Sequence, residues 1–217
     1  MTKISILGCG WLGLPLAKAL VENGFSVNGS TTSENKILVL NKLGVNPFLI
    51  ALNSENIQGD IFSFLEHSEI LLINIPPKLR GNNKEDFIGK IKTLIPFIEN
   101  SSIKKVIFVS STSVYADENV LVTEETVPQP ETESGQQLLQ SEELLLNNMH
   151  FETTIVRFGG LIGEDRNPIR FLSGRDAIEN PDAPINLIYL EDCVGIITQI
   201  IKQNSWGEIY NGVAPFH

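Results

Sequence analysis

Three glycines near the amino terminus have the spacing that lets a protein backbone bind a diphosphate. Gly8, Gly10 and Gly13 form the pattern G-x-G-x-x-G directly after an apolar segment, Lys3–Leu7. The first glycine permits a tight turn, the second lets a diphosphate approach the backbone, and the third lets the next helix pack closely. A helix that begins here offers free N–H groups and a partial positive charge to phosphates. The spacing therefore predicts a dinucleotide-binding loop, and the alternative is a glycine-rich turn that binds no nucleotide.

The residues that follow the second predicted strand bear on which dinucleotide is bound. NAD-specific domains place an acidic residue about 20 residues beyond the glycines, where it binds the ribose 2′-hydroxyl. This chain has Ser30, Thr31 and Thr32 there, with no carboxylate among them, and Lys36 lies shortly after. Hydroxyls and a lysine favour the 2′-phosphate of NADP slightly over NAD. The same segment can also cap the next helix, and the two interpretations are compatible.

Short apolar segments alternate with segments of helical periodicity over most of the chain, which predicts an α/β fold. We expect a Rossmann-like, doubly wound parallel sheet, with a core over 1–157 and a small, reduced substrate lobe over 158–217. Within that lobe, 185–212 is expected to return to the core. The strongest helical pattern, Ser134–Met149, places Leu138, Leu145 and Met149 on a predicted core stripe. Glu142 and Glu143 are predicted to lie on a solvated face of the same helix.

Composition excludes several classes of function. The formal net charge is −10, and no basic stripe suited to nucleic acid is present. No signal peptide or apolar run long enough to span a membrane is evident, so we expect a cytoplasmic protein. The two cysteines, Cys9 and Cys193, are predicted to be buried thiols. The histidines are scattered without ligand spacing, which predicts no metal site; they are His67, His150 and His217.

Three further segments resemble the extended short-chain dehydrogenase/reductase family, which includes the NAD(P)-dependent epimerases and dehydratases. They are SSTSVY at 110–115, RFGGLIG at 157–163 and INLIYLEDCV at 185–194. The chain departs from the family pattern at Ala116, where glycine is usual, and at Tyr189, where histidine is common. Together with the glycine loop, these segments extend the resemblance over nearly the whole chain.

The resemblance implies a cofactor crevice along the carboxyl ends of the strands. Asn74 lies in this region, and it can equally be a turn residue that satisfies nearby backbone groups. The residues implied to contact the dinucleotide are Gly8, Gly10, Trp11, Leu12, Gly13, Ser30, Thr31, Thr32, Asn74, Ile75, Pro76, Ser110, Arg157, Phe158 and Gly159.

The family's usual catalytic pair, Tyr-x-x-x-Lys, is missing. By alignment of the helix that begins at 134, Ser134 replaces the tyrosine and Leu138 replaces the lysine. A serine hydroxyl has a far higher pKa than a phenol and cannot act as a base unless another group activates it. The resemblance assigns Ser111 to polarise the reacting hydroxyl or carbonyl. The candidate catalytic residues are therefore Ser111, Ser134 and Tyr189.

Three explanations for the missing pair remain open at the level of sequence. The alignment can be shifted, with Tyr115 or Tyr189 entering the site from another segment. The protein can use different chemistry, with Ser111, Tyr189 or a loop carboxylate, Glu164 or Asp165, as the acid or base. The protein can also bind the dinucleotide without turning it over.

We therefore expect an NAD(P)-binding oxidoreductase or isomerase that acts on a hydroxylated small molecule such as a nucleotide-sugar. The alternative is a non-catalytic redox sensor or scaffold. Three arginines of the loop-rich segment, Arg166, Arg170 and Arg175, are either ligands of a substrate diphosphate or ordinary surface residues. The resemblance implies a possible homodimer through the helices over 86–99 and 134–149. The chain ends soon after Tyr210, which predicts a reduced substrate lobe or a missing portion.

Overall fold

The computed structural model describes residues 1–77, 79, 85–118, 120–169, 173–174 and 184–215. The strands, in chain order, are β1 (Lys3–Leu7), β2 (Ser26–Thr31), β3 (Asn46–Leu49), β4 (Ala51–Leu52), β5 (Ile57–Gln58), β6 (Ile70–Ile73), β7 (Lys105–Ser111), β8 (Glu152–Phe158), β9 (Gly160–Ile162), β10 (Leu187–Tyr189) and β11 (Ile209–Gly212). The helices are α1 (Gly13–Glu22), α2 (Ile37–Lys42), α3 (Ile61–Leu65), α4 (Phe87–Glu99), α5 (Glu133–Leu146) and α6 (Leu190–Gln203).

Seven parallel strands form the central sheet, in the spatial order β11-β8-β7-β6-β1-β2-β3. The chain winds outward from β1 in one direction through β2 and β3, then crosses back to β6 and winds outward in the other. The reversal between β1 and β6 is the point where α/β sheets of this kind bind ligands, at the carboxyl ends of the strands. The predicted Rossmann-like, doubly wound fold is confirmed.

Helices cover both faces of the sheet. On one face, Leu16 of α1, Leu40 of α2 and Ile197 of α6 belong to a single buried cluster. On the other face, Phe64 of α3 and Ile91 of α4 belong to a second cluster, to which α5 also contributes. A strand covered on both sides must be apolar throughout, which is why β6 has the sequence ILLI with every residue buried. None of the helices in the described residues is long and apolar enough to cross a bilayer.

The carboxyl-terminal part of the chain contributes to two different sheets. β9 and β10 pair in parallel with each other and form a separate two-stranded sheet. β11 instead pairs with β8 and extends the edge of the main sheet. The segment after β8 therefore leaves the carboxyl edge of the sheet, forms the small sheet above it, and returns.

The predicted position of Met149 in the core is wrong. α5 ends at Leu146, and the amide of Asn148 bonds back to the carbonyl of Leu145 in the turn that follows. Met149 lies beyond that turn and is 94% exposed, whereas Leu138 and Leu145 are buried as predicted. The apolar spacing at Met149 continues the helical pattern by coincidence, because the backbone has already left the helix.

Candidate functional site

In the glycine loop between β1 and α1, two of the three glycines leave no room for a side chain and one borders open space. Gly8 has a φ of +104°, and a Cβ there would lie 2.5 Å from the carbonyl oxygen of Asn74. A Cβ on Gly13 would lie 2.2 Å from the carbonyl oxygen of Gly8. A Cβ on Gly10 would have no heavy atom within 4 Å. Packing therefore explains the first and third glycines, while the second borders free space.

Two polar side chains hold the first glycine from opposite sides. The Gly8 amide donates to Ser30 Oγ at 2.9 Å, and Asn74 Nδ2 donates to the Gly8 carbonyl at 3.0 Å. Ser30 is only 2% exposed. These bonds fix the turn, so Asn74 acts as a turn residue in this structure. Ile75 also packs on the loop, since its Cγ2 would lie 3.1 Å from a Cβ on Gly8, and Pro76 beyond it is exposed.

Most hydroxyl groups at the end of β2 are buried. The Thr31 hydroxyl accepts a hydrogen bond from the Ser33 amide at 3.1 Å, and Thr31 is buried. Thr32 is exposed and Lys36 is half-buried. Burial raises the pKa of the Cys9 thiol to about 12, and the positive charge of Lys36 opposes that rise. The lysine therefore adds positive potential beside the glycine loop.

The segment after β7 packs directly on the first turn of α5. A Cβ on Gly135 would lie 2.2 Å from the carbonyl oxygen of Ser113, so only glycine fits at this contact. The Ser111 hydroxyl accepts from the Ser113 amide at 3.2 Å. Ser134, which precedes Gly135, is thus brought to the same edge of the sheet as Ser111. Leu138 is 4% exposed within the core cluster and presents no polar group to that edge.

A buried ion pair stands behind this edge. Arg157 Nη2 donates to Glu142 Oε2 at 2.6 Å, and Arg157 Nε lies 3.2 Å from both carboxylate oxygens. The Ser110 hydroxyl donates to Glu142 Oε1 at 2.5 Å. Glu142 is 0% exposed, so its predicted place on a solvated face is wrong, whereas Glu143 is exposed. Helical periodicity alone cannot detect a core glutamate, because its partners, Ser110 and Arg157, lie on strands distant in sequence.

The same arginine extends the network to Tyr115. Arg157 Nη1 donates to the Tyr115 hydroxyl at 2.6 Å, and that hydroxyl donates to Asn211 Oδ1 at 3.1 Å. The backbone amide of Asn211 in turn donates to Glu124 Oε1 at 2.8 Å. Burial disfavours the charged guanidinium, but bonding to Glu142 outweighs it and raises the pKa of Arg157. The resemblance implies that Arg157 and Ser110 contact the cofactor. In this structure both side chains bond to Glu142.

Sequence reasoning missed Glu124 and Asn211. Each is polar and lies far from the other along the chain, so neither shows a spacing signal. Tyr210 and Asn211 resemble the Y-N-V/I pattern that the family has near this point, and that resemblance is the signal that could have pointed to Asn211.

The remaining predicted residues border the small sheet. Phe158 is 2% exposed, and a Cβ on Gly159 would lie 2.7 Å from the carbonyl oxygen of Asn186. Tyr189, at the end of β10, is 37% exposed. Desolvation, reinforced by the charges of nearby glutamates, raises the pKa of Tyr189. The ordinary pKa of a phenol already leaves it protonated at neutral pH, and a further rise opposes a role as general base.

Trp11 joins the glycine loop to the turn that follows β9. Its indole Nε1 donates to Asp165 Oδ1 at 2.7 Å, and the guanidinium of Arg166 lies 5.2 Å from the ring centroid. Leu12, the next residue, is buried in the core. Trp11 therefore makes specific contacts more than 150 residues away in sequence, in addition to packing on the core cluster.

Among the described residues, no cluster of three or more histidine, cysteine or acidic side chains is arranged to hold a metal ion. Three residues singled out from the sequence, Arg170, Arg175 and His217, lie outside the described residues.

The sheet order, the glycine loop and the strand-end segments define a Rossmann-fold protein of the atypical extended short-chain dehydrogenase/reductase class, like the NAD-dependent epimerases and dehydratases. Within that class, the chain belongs to the family of Protein YeeZ from Escherichia coli strain K12. The two are 34% identical over 218 residues, an alignment that covers 100% of this chain and 79% of YeeZ. No protein-family model matches the chain.

Solved structures of nucleotide-sugar epimerases share the fold. UDP-glucuronic acid 4-epimerase from Bacillus cereus, in complex with UDP-glucuronic acid and NAD, matches with a TM-score of 0.79 at 18% identity, over 98% of this chain and 78% of that chain. UDP-N-acetylglucosamine 4-epimerase from the same species matches with a TM-score of 0.78 at 17% identity, over 100% of this chain and 79% of that chain. At these identities the likeness establishes the fold.

Proposed function

We propose that this protein binds a nicotinamide dinucleotide in the crevice at the carboxyl edge of the sheet. The open space at Gly10 supports this most directly. Packing accounts for Gly8 and Gly13, but no neighbouring atom requires a glycine at position 10. A diphosphate that approaches the backbone does require one. No side chain caps the N-terminus of α1 among the described residues. The Leu14 amide donates to the Gly10 carbonyl at 3.1 Å and Pro15 has no N–H, so an anion would be met by the amides from Gly10 to Gly13.

Different segments at this edge bind different parts of the cofactor. The loop from Gly10 to Gly13 holds the diphosphate, the end of β2 meets the adenosine ribose, and the ends of β7 and β8 surround the nicotinamide. When bound, the nicotinamide supplies hydride transfer. Ser111 and Ser134 are the hydroxyl groups that the fold brings to that end of the crevice.

Calorimetric titration with NAD⁺, NADH, NADP⁺ and NADPH tests the proposal, and we expect heat of binding with at least one of them. Gly10→Leu should abolish this binding without loss of thermal stability, because its side chain enters the space reserved for phosphate. Gly195→Leu is the matched control, since Gly195 is exposed in α6 and a Cβ there also has no heavy atom within 4 Å. Absence of heat with all four nucleotides in the wild-type protein would refute dinucleotide binding.

We further propose an oxidoreductase or isomerase activity on a hydroxylated small molecule such as a nucleotide-sugar, with 158–217 as the substrate lobe. The epimerase complex with UDP-glucuronic acid and NAD supports this choice of substrate class. Reduced cofactor incubated with a panel of carbonyl acceptors should lose its nicotinamide absorbance. Ser134→Ala and Ser111→Ala should each slow that loss without weakening cofactor binding.

A non-catalytic dinucleotide sensor is the second candidate, and specific observations favour it. Leu138 is buried where the family has its lysine, and the pKa of Tyr189 is raised. A sensor should bind oxidised and reduced cofactor with different affinities and consume neither. Turnover with any acceptor would exclude this candidate.

The choice between the two dinucleotides depends on Lys36 and Thr32. Ser30 and Thr31 are buried, so the exposed Thr32 and the half-buried Lys36 are left to meet a 2′-phosphate. We propose a preference for NADP. Lys36→Gln should weaken NADP⁺ binding and leave NAD⁺ binding unchanged, whereas equal effects on both would contradict the assignment.

We propose a homodimer formed through α4 and α5, by analogy with relatives in this class. The exposed positions of these helices include Lys92, Gln136, Gln140 and Glu143, and also Leu146, so the contact would be mostly polar. Light scattering of the purified protein should give twice the mass of 24.0 kDa, and a monomer mass would refute the dimer.

A further inference from the structure

The turn that follows β9 is held rigidly against the glycine loop. The amides and carbonyls of Gly163 and Arg166 exchange two hydrogen bonds of 3.1 Å, which closes the turn. A Cβ on Gly163 would lie 2.8 Å from Trp11 Cζ2, so the turn packs closely on the indole. Asp165 accepts the indole N–H at 2.7 Å, and Arg166 lies over the ring. Asp165 and Arg166, consecutive residues of an exposed turn, thus both contact the side chain of Trp11, the residue after Gly10.

A diphosphate at this loop would lie near the acidic side chains of the turn. The protein carries a net charge of −10, and the turn itself contains Glu164 and Asp165. Arg166 is exposed and forms no ion pair with any other described residue. Its guanidinium stacks on an aromatic ring, and its N–H groups have no acceptor among the described residues. An arginine with free donors is the side chain best suited to phosphate oxygens.

We propose that Arg166, positioned by Trp11, binds the diphosphate of the dinucleotide at the glycine loop. This inference rests on the proposed cofactor binding. Arg166 supplies the positive charge and forked donors that supplement the α1 amides, while the Asp165–Trp11 hydrogen bond keeps the turn in place. Trp11 therefore positions Arg166 through its ring.

Binding of ADP-ribose and adenosine separates the diphosphate from the rest of the cofactor. Arg166→Gln should weaken ADP-ribose binding roughly tenfold and leave adenosine binding unchanged, since only ADP-ribose carries a diphosphate. Arg166→Lys should recover part of the lost affinity, because it restores the charge. Raising the salt concentration should weaken ADP-ribose binding more in the wild-type protein than in Arg166→Gln.

Lys104→Gln is the charge-matched control. Lys104 is exposed and precedes β7, at the opposite edge of the sheet, so its loss should not change ADP-ribose affinity. Asp165→Asn should keep the acceptor for the indole N–H while removing a negative charge, and ADP-ribose should bind it at least as tightly as the wild-type protein.

The outcomes separate this inference from the proposal on which it depends. If the wild-type protein binds neither dinucleotides nor ADP-ribose, the proposed function itself fails. If the wild-type protein binds them and Arg166→Gln binds ADP-ribose equally well, Arg166 is an ordinary surface residue and the inference is overturned. UDP is the remaining ligand to test. If Arg166→Gln weakens the binding of UDP but not that of ADP-ribose, Arg166 binds a substrate diphosphate, and the inference is also overturned.

Discussion

Glu142 and Arg157 form the polar centre of an otherwise apolar region of the molecule. Both are almost fully buried, and their charges are balanced by direct bonding to each other, with Ser110 and Tyr115 completing the hydrogen bonds. A buried charge without a partner is far more costly than one that is paired. This network also connects α5 to the ends of β7 and β8, the elements that carry Ser134 and Ser111. It therefore fixes the relative positions of those candidate groups.

Removal of the glutamate should reveal how much the fold depends on its pairing. We expect Glu142→Ala to lower the free energy of unfolding by about 3–5 kcal/mol, because Arg157 is left charged and buried. Glu143→Ala, at the exposed neighbouring position, should change it by less than about 0.5 kcal/mol. Urea denaturation measures both, and equal small effects would show that Arg157 finds another partner.

The cysteines give a second prediction at this scale. Burial raises the pKa of Cys9 and of Cys193 to about 12, so both remain protonated at pH 8. Only the thiolate reacts with a disulfide reagent. The folded protein should therefore label at neither position within minutes, while the protein in denaturant labels at both. Fast labelling of one thiol in the folded state would show that its surroundings open.

At the level of residues, the sequence predicts local contacts better than distant ones. The three glycines could be recognised because their spacing directly encodes a turn before a helix. Glu142, Asn211 and the Trp11–Asp165 contact could not be predicted, because each depends on which strands and turns lie beside each other in space. The two buried cysteines were predictable because one lies within the glycine loop, the other lies in a predicted helix, and the pair forms no disulfide framework.

Among the elements, α3 shows how a short helix is fixed by its cap. Asp60 precedes the helix, and its Oδ1 accepts the Ser63 amide at 3.0 Å. A helix of five residues has little internal hydrogen bonding, so its N-terminal cap contributes a large share of its stability. α3 supplies Phe64 to the core, and the cap therefore supports packing across the sheet.

This cap should make stability depend on pH in the acid range. Hydrogen bonds from Ser63 lower the pKa of Asp60 below its ordinary value of 3.8. Because the pKa of Asp60 is lower in the folded state than in the unfolded state, its carboxylate stabilises the fold at pH values above the unfolded-state pKa. That contribution is lost as the pH falls through the folded-state pKa. Asp60→Ala should therefore melt at a lower temperature than the wild-type protein at pH 7, with a difference that shrinks as the pH falls below the ordinary value of 3.8.

Asp60→Asn is the control for that experiment. Asparagine also caps helices, but it does not titrate, so its melting temperature should stay close to that of the wild-type protein at pH 7. A constant difference between Asp60→Ala and the wild-type protein at all pH values would assign the effect to packing instead of the cap.

Most of the main-sheet elements could be predicted because their patterns are periodic and their ends are marked by glycine or by caps. The small sheet was harder to predict. β9 has only three residues and begins with glycine, so nothing in its composition distinguishes it from a loop. The end of α5 was misplaced for the opposite reason, since an apolar residue happened to continue the helical spacing past the last turn.

For the whole molecule, the order of strands decides where chemistry can occur. The reversal between β1 and β6 leaves the carboxyl ends of β1, β2, β6, β7 and β8 along one crevice. The candidate residues come from loops far apart in sequence, and the alternation of strands and helices was enough to predict that they converge. The occupant of the crevice is not encoded in that topology, because the same fold supports unrelated functions.

Binding in the crevice should stabilise the entire fold, because a ligand that binds only the folded state shifts the unfolding equilibrium. A dinucleotide at 100 times its Kd adds about 2.7 kcal/mol of stability. For a domain of this size, each kcal/mol corresponds to roughly 2–4 °C in Tm, so the wild-type protein should melt roughly 5–10 °C higher. Gly195→Leu should show the same increase. Gly10→Leu should melt at the wild-type temperature without ligand and show no increase with it, because the fold is intact and the phosphate space is filled. An equal increase in Gly10→Leu would place the dinucleotide away from the glycine loop.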